Sequence, residues 1–160
     1  MTSVTATDYG NGTNDIAGTN YDWGVYNAIG SDPAGTWRLL TRAEWEYLIY
    51  TRKVNGSTGV GNTCTICTIN STLGLLIFPD EYTGTTNSST YSSIPDGCAF
   101  LPAAGKFSGS TYTSNEGFYW TSTSYSTASA YDPDFTSSAL HDTYGGKGQR
   151  RSVRLVKNAN

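Results

Sequence analysis

The chain has 160 residues and a formal net charge of −3, with 14% charged and 13% aromatic residues. This length fits a single domain, and the aromatic content separates it from disordered sequences, which are poor in aromatic residues. The sequence shows no Lys/Arg-rich face for nucleic acid, no apolar run long enough to cross a membrane and no signal-peptide pattern. We therefore expect no nucleic-acid partner, no membrane span and no signal peptide.

The N-terminal part is rich in Gly, Asn, Thr and Asp, and we interpret residues 1–20 as a turn-rich arm. A strand is predicted over residues 22–26. Residues 8–15 carry several oxygen-bearing side chains, but they lack the regular alternation and the distal Glu of an EF-hand. A plain surface loop is therefore expected there.

A helix is predicted over residues 42–53. Thr41 and Glu44 have the spacing of a capping box, in which a helix-starting Thr and a Glu three residues later satisfy each other's backbone. Apolar residues then follow at the spacing of one helix face, which we expect to pack on the core: Trp45, Leu48 and Ile49.

Short segments rich in β-branched and aromatic residues predict several strands. They cover residues 63–69, 73–78, 118–121, 130–135 and 152–156. Residues 98–105 form a short apolar run, and residues 82–95 are expected to form a loop. Many short strands with one or two helices indicate an α+β fold with a mostly antiparallel sheet.

The three cysteines are Cys64, Cys67 and Cys98. The spacing of Cys64 and Cys67 is also found in zinc sites, but such a site needs about four ligands and this chain has only one histidine. We therefore expect small buried thiols in a strand and no metal. Their pairing in a disulfide is left open.

Residues 35–48, GTWRLLTRAEWEYL, resemble the GWRLPTxxEWEYL segment of C-type-lectin-fold proteins. That group includes the formylglycine-generating-enzyme family and the Fibrobacter major paralogous domain. Further segments are similar to the paralogous domain of gut Bacteroidetes and their phages: 21–29, 76–80, 100–105, 117–123 and 152–156. The ordered match implies a C-type lectin fold for one domain over residues 1–160.

Some members of this fold are variable proteins of diversity-generating retroelements, in which adenine-directed mutagenesis rewrites a C-terminal segment. Asparagine codons changed in this way do not yield Lys, Gln, Glu, Met or Trp, and none of these occurs in residues 121–146. The resemblance implies a variable region at residues 115–157. Its scaffold positions would be Trp120, Ala130, Tyr131, Phe135, Leu140, Val153 and Leu155.

The positions between them would bind the ligand: Tyr125, Ala128, Ser129, Asp132, Asp134, Thr136, Ala139, His141, Thr143, Tyr144, Gly145 and Gly146. Alternation supports this division, because successive side chains of a strand point to opposite faces. We expect Tyr131, Pro133 and Phe135 to pack on the core. Asp132 and Asp134 would then be presented on the other face.

The resemblance implies a non-enzymatic protein without a cofactor that recognises a protein or glycan on a cell surface. It would belong to a phage tail tip or to a bacterial cell surface. One alternative is a calcium-dependent glycan-binding lectin, with Asp132, Asp134 and Asp142 around a hard cation. Another is a formylglycine-generating-like oxidoreductase, but those relatives bind copper with a C-terminal cysteine pair and no cysteine follows Cys98. The ligand and the oligomeric state are left open.

Overall fold

The computed structural model describes residues 12–157, which form a mixed α+β structure made mostly of strands. The helices are α1, Trp23–Tyr26, and α2, Arg42–Glu46, which continues as a π-helical turn, Tyr47–Thr51. The strands are β1 Arg38–Leu39, β2 Cys64–Ile69, β3 Thr72–Ile77, β4 Thr90–Tyr91, β5 Ala99–Pro102, β6 Lys106–Ser108, β7 Thr111–Thr113, β8 Gly117–Phe118, β9 Ser129–Phe135, β10 Leu140–Gly146 and β11 Leu155–Val156.

The start of α2 confirms the predicted capping box. The hydroxyl of Thr41 accepts from the backbone N–H of Glu44, and the carboxylate of Glu44 accepts from the backbone N–H of Thr41. Trp45 and Ile49 are buried, so the predicted apolar face packs on the core. The helix ends earlier than residue 53, because Arg52 has an extended backbone and turns its guanidinium to the carbonyls of Thr63, just before β2, and Phe78, just after β3.

The central sheet has the strand order β4-β2-β3-β5, in which β2, β3 and β5 are antiparallel neighbours and β4 runs parallel to β2. Side chains from its two faces enter two buried clusters. Leu75 and Cys64 belong to one cluster, whereas Leu76 and Cys67 belong to the other. The sheet therefore supports apolar packing on both sides.

The strand predicted over residues 22–26 is wrong, because this segment forms α1. Asp22 caps that helix through the N–H of Gly24, and its carboxylate also accepts from the N–H of Leu39 in β1. A side chain at Gly24 would collide with the backbone of Trp37, whose carbonyl carbon lies 2.6 Å from the Cβ position. The buried Asp22 and the close backbone approach hold the helix against β1.

Three smaller sheets complete the fold: β1-β11, β6-β7 and β10-β9-β8. Strand β9 confirms the prediction over residues 130–135, whereas β4, the β6–β7 hairpin and β10 were not predicted. The predicted strand over residues 152–156 is regular only in β11, although Ser152 forms a bridge with Tyr119. The pairing of β1 with β11 joins the segment just before α2 to the C-terminal end of the described chain.

Residues 1–11 lie outside the described part. More than half of the predicted N-terminal arm and the first half of the segment 8–15 therefore fall outside it. Residues 158–160 also lie outside it. All three cysteines are free thiols, so no disulfide joins Cys64, Cys67 and Cys98. Within residues 12–157, no helix has the length and apolar character needed to cross a membrane.

Candidate recognition surface

The predicted binding residues lie mainly on the hairpin formed by β9 and β10. Its register pairs Phe135 with Leu140 at one end and Ser129 with Gly146 at the other. Because directly opposite residues of antiparallel strands point to the same side, the hairpin has two distinct faces. The tyrosine face consists of Ser129, Tyr131, Pro133, Phe135, Leu140, Asp142, Tyr144 and Gly146. The aspartate face consists of Ala130, Asp132, Asp134, His141, Thr143 and Gly145.

The predicted binding residues are therefore divided between opposite sides of one hairpin. Asp134, His141 and Thr143 share the aspartate face, and Tyr144 lies on the tyrosine face. Thr136 and Ala139 lie in the turn between the strands. Tyr144 is paired with Tyr131, which lies five positions before Thr136, and this spacing corresponds to roughly 17 Å along an extended strand. The predicted set is not one contiguous patch.

The outer end of the tyrosine face carries a stack of aromatic rings. The rings of Tyr125 and Tyr144 are nearly parallel, with centroids 3.8 Å apart and an interplanar angle of 9°. Tyr131 meets the ring of Tyr125 edge-on at 5.3 Å. Tyr125 and Tyr144 are 49% and 53% exposed, so large ring surfaces face solvent in a fixed arrangement.

Arg42 of α2 fixes this aromatic stack against the rest of the domain. Its guanidinium lies 4.1 Å from the ring centroid of Tyr131 and forms an ion pair of 2.6 Å with Asp142. The hydrogen bond to Asp142 also raises the pKa of Arg42 above its ordinary value. Arg42 was not predicted as part of the site, because its partners lie about a hundred residues further along the chain.

The aspartate face has an open end at which Asp134 holds two neighbouring side chains. Nδ1 of His141 lies 2.9 Å from one carboxylate oxygen, and the hydroxyl of Thr143 donates to the other at 2.8 Å. His141 is exposed. The arrangement orients the imidazole, but the Thr143 hydroxyl bonds to the carboxylate and not to the ring. It therefore differs from a nucleophile–base–acid triad, in which the base hydrogen-bonds to the nucleophile.

The expectation that Asp132 is presented to a ligand is wrong. Asp132 is fully buried and forms an ion pair with Arg151, whose side chain is only 3% exposed. The guanidinium of Arg151 also lies over the rings of Trp120, at 4.5 Å, and Phe118, at 5.1 Å. Burial lowers the pKa of Arg151 to about 10, which leaves it cationic at neutral pH.

Gly145 is likewise buried, although it was predicted to face a ligand. A Cβ atom at this position would overlap the guanidinium of Arg151. The absence of a side chain at Gly145 therefore leaves the space in which the Arg151 side chain reaches Asp132. Among the predicted scaffold residues, Phe135 is in the core and Leu140 packs against it, whereas Val153 is 46% exposed and does not fit the expected packed position.

The geometry does not support the calcium and copper alternatives. Asp142 lies on the opposite face from Asp132 and Asp134 and is bound to Arg42, so the three carboxylates do not converge. Within residues 12–157 no group of three or more His, Cys, Asp or Glu side chains is arranged to hold a metal. Cys64 and Cys67 enter different buried clusters, and burial raises the pKa of each thiol to about 11.

Comparison of the chain with protein-family models, with curated proteins and with solved structures finds no match. A function is therefore inferred from the geometry of the tyrosine face and the aspartate face.

Proposed function

We propose that the protein is a non-enzymatic ligand-binding protein whose recognition surface is the outer end of the tyrosine face. The observation that carries this proposal is the exposed, nearly parallel stack of Tyr125 on Tyr144. Tyrosine supplies a large, stiff contact area that is both apolar and able to hydrogen-bond, which is why binding loops are rich in it. The exposed faces of these two rings do not contribute to the core. Contact with a partner therefore explains their exposure better than a role in folding does.

The surroundings of the stack reduce the cost of binding. Tyr131 and the Arg42–Asp142 ion pair already hold the rings and the strand in place. A side chain that is ordered before binding loses less conformational entropy when the partner arrives. The partner would be a protein or glycan on a cell surface, because tyrosine rings pack on apolar protein side chains and on sugar rings alike.

The proposed fold is a C-type lectin fold, and the proposed biological setting is a variable protein of a diversity-generating retroelement. The α+β architecture and the pairing of β1 with β11 support this fold, together with the ordered sequence motifs. The protein would act at a phage tail tip or on a bacterial surface. The variable positions would be the exposed ones, and the buried Asp132 and Gly145 would belong to the constant scaffold.

The retroelement setting makes a prediction about the neighbouring DNA. A reverse-transcriptase gene and a near-duplicate of the segment encoding residues 115–157 should lie close to the gene. Differences between the two copies should fall at adenines of the duplicate and should spare the codons of Asp132 and Gly145. A neighbourhood without the duplicate would refute this setting and leave the binding proposal to be tested separately.

Binding is tested on an array of glycans and a panel of intact gut bacteria. The Tyr125→Ala/Tyr144→Ala variant is compared with Tyr21→Ala/Tyr26→Ala, which removes two other exposed tyrosines. Loss of central aromatic contacts costs about 2 kcal/mol or more, so binding should fall roughly 30-fold in the first variant and remain unchanged in the second. Equal binding by both variants would contradict the assignment of the surface. Failure of the wild-type protein to bind any cell or glycan would count against a cell-surface partner.

A further inference from the structure

Strand β10 forms one edge of the sheet β10-β9-β8, and part of its backbone points away from β9. The N–H of Tyr131 in β9 donates to Thr123, and its C=O accepts from Thr121. The C=O of Pro133 accepts from Tyr119. In an antiparallel pair, a residue that bonds away from its partner strand lies opposite a residue that does the same. The β10 residues paired with Tyr131 and Pro133 therefore direct their N–H and C=O outward.

The outward-facing residues are Tyr144, opposite Tyr131, and Asp142, opposite Pro133. Within residues 12–157, their backbone N–H and C=O groups have no hydrogen-bond partner. Such a row of groups is a template for another strand, and proteins usually block it with proline, lysine or a bulge. Strand β10 contains no proline or lysine, and its seven residues pair with β9 without a bulge. The edge of β10 is therefore open to a further strand.

The sequence of β10 is complementary to itself when two copies run antiparallel about Thr143. In that register Thr143 lies opposite Thr143 of the second copy, and all seven residues are paired. Each Asp142 lies opposite Tyr144 of the other copy and keeps its ion pair with Arg42. Threonine pairs are favourable across strands and directly opposed like charges are not, so a register centred on Asp142 would be worse. The remaining pairs set a large side chain against a glycine: His141 with Gly145, and Leu140 with Gly146.

We propose that the protein forms a two-fold symmetric dimer in which the β10 strands of two copies pair antiparallel about Thr143. The two sheets then join into one continuous sheet with the order β8-β9-β10-β10-β9-β8. Each Asp142–Tyr144 pair exchanges both of its backbone hydrogen bonds across the interface. The tyrosine faces of the two copies lie on the same side of this sheet. The pairing uses backbone groups, so it stands or falls independently of the ligand that the tyrosine face binds.

Analytical ultracentrifugation and amide hydrogen exchange of the wild-type chain test the dimer and its location. As the protein concentration rises, the mass should increase from 17.2 kDa toward twice that value. Over the same range, exchange of the Asp142 and Tyr144 amides should slow at least about tenfold, because they become hydrogen-bonded. The amides of His141 and Thr143 already bond to β9 and should change less.

Three results would overturn the proposal. The first is a chain that stays monomeric at every concentration. The second is a dimer in which exchange at Asp142 and Tyr144 does not change, since its interface would lie elsewhere. The third is slow exchange of these two amides already in the monomer, since the edge would then be covered.

Substitutions at the two-fold axis test the register. Opposed residues of this kind have Cα atoms about 4.5 Å apart, a separation that a disulfide can span. Thr143→Cys should therefore form an intermolecular disulfide under mild oxidation. Thr136→Cys places a similarly half-buried thiol in the turn, away from the axis, and should cross-link no faster than the wild type. Equal rates in the two variants would refute the register.

A charge at the axis gives a second measurement. Thr143→Lys should weaken dimerisation at least about tenfold, because two like charges then lie directly opposite each other. Thr136→Lys adds the same charge in the turn and should leave the dimer unchanged. Equal association of both lysine variants would contradict the proposal. If the Thr143 variants do not fold, the amide exchange of the wild type decides alone.

Discussion

Replacing Asp132 by Asn tests whether the hairpin is held by a buried charge. The change keeps the size of the side chain and removes the negative charge that faces Arg151. The guanidinium is 3% exposed, so it has almost no access to water that would replace the lost partner. Removal of one member of a buried ion pair costs about 3–5 kcal/mol. We take about 3 kcal/mol for Asp132→Asn, because the amide oxygen still accepts a hydrogen bond.

The assay is urea denaturation, supported by thermal unfolding, with Asp134→Asn as the matched control. Asp134 lies on the same strand and the same face of the hairpin as Asp132, but its partners His141 and Thr143 lie toward solvent. Asp132→Asn should lower the midpoint temperature by roughly 6–12 °C, since 1 kcal/mol corresponds to about 2–4 °C in a domain of this size. Asp134→Asn should cost about 1 kcal/mol or less. Equal losses in the two variants would refute the reasoning.

A double replacement tests the same ion pair of Asp132 and Arg151. Changing Asp132→Leu together with Arg151→Met removes both charges, puts apolar side chains in their place and retains most of the buried volume. A buried pair replaced by apolar groups is often neutral or stabilising, so the double variant should recover much of the lost stability. A double variant that is less stable than Asp132→Asn would show that Arg151 acts mainly through its contacts with Trp120 and Phe118.

Two further variants test local features. Gly145→Ala should lower stability by about 2 kcal/mol, because its Cβ overlaps the buried guanidinium, whereas Gly146→Ala, with open space at its Cβ, should change little in the same urea titration. The hydrogen bond from Arg38 holds the pKa of Glu44 at about 2, below its ordinary 4.5. Its stabilising effect is full above pH 4.5 and is lost as the pH falls toward 2. Thermal melts at pH 6 and pH 3 should therefore differ less in Glu44→Gln than in the wild type or in the Glu46→Gln control.

The start of α2 was predictable because its signals are local. The Thr41–Glu44 capping box needs only four consecutive residues, and the apolar spacing of the following turn needs only a few more. Strand β9 was predictable for the same reason, since the alternation of its side chains is visible within seven residues. The early end of the helix was not predictable, because Arg52 turns toward carbonyls that the chain supplies later, at Thr63 and Phe78.

Strand β10 was missed because little in its own sequence favours a strand. It contains Asp142 and the pair Gly145–Gly146, residue types that are depleted in strands. It forms because all seven of its residues pair with β9 and because Arg151 needs the space that Gly145 leaves. Both reasons depend on the tertiary arrangement. Local propensity therefore could not predict this strand.

The alternation around Tyr131 gave the two faces of β9 but not the depth at which each one lies. Sequence alternation shows which side chains share a face, whereas burial depends on what packs against that face. On the aspartate face, Arg151 with Phe118 and Trp120 buries Asp132, and the same face is open two residues later at Asp134. Arg151 comes nineteen residues after Asp132, so no local pattern could reveal this.

The buried ion pair of Asp132 and Arg151 also determines which positions of the hairpin could vary in a recognition surface. A substitution at Asp132 or Gly145 would disturb Arg151 and thereby the packing of the hairpin, so selection for folding would hold both positions constant whatever the ligand. Tyr125 and Tyr144 are about half exposed, and the contacts they make are mainly with each other and with Tyr131. Replacing them would alter the outer surface and leave the ladder of β9 and β10 in place. The hairpin thus combines a fixed inner layer with a replaceable outer end, which is the arrangement that a diversified binding surface requires.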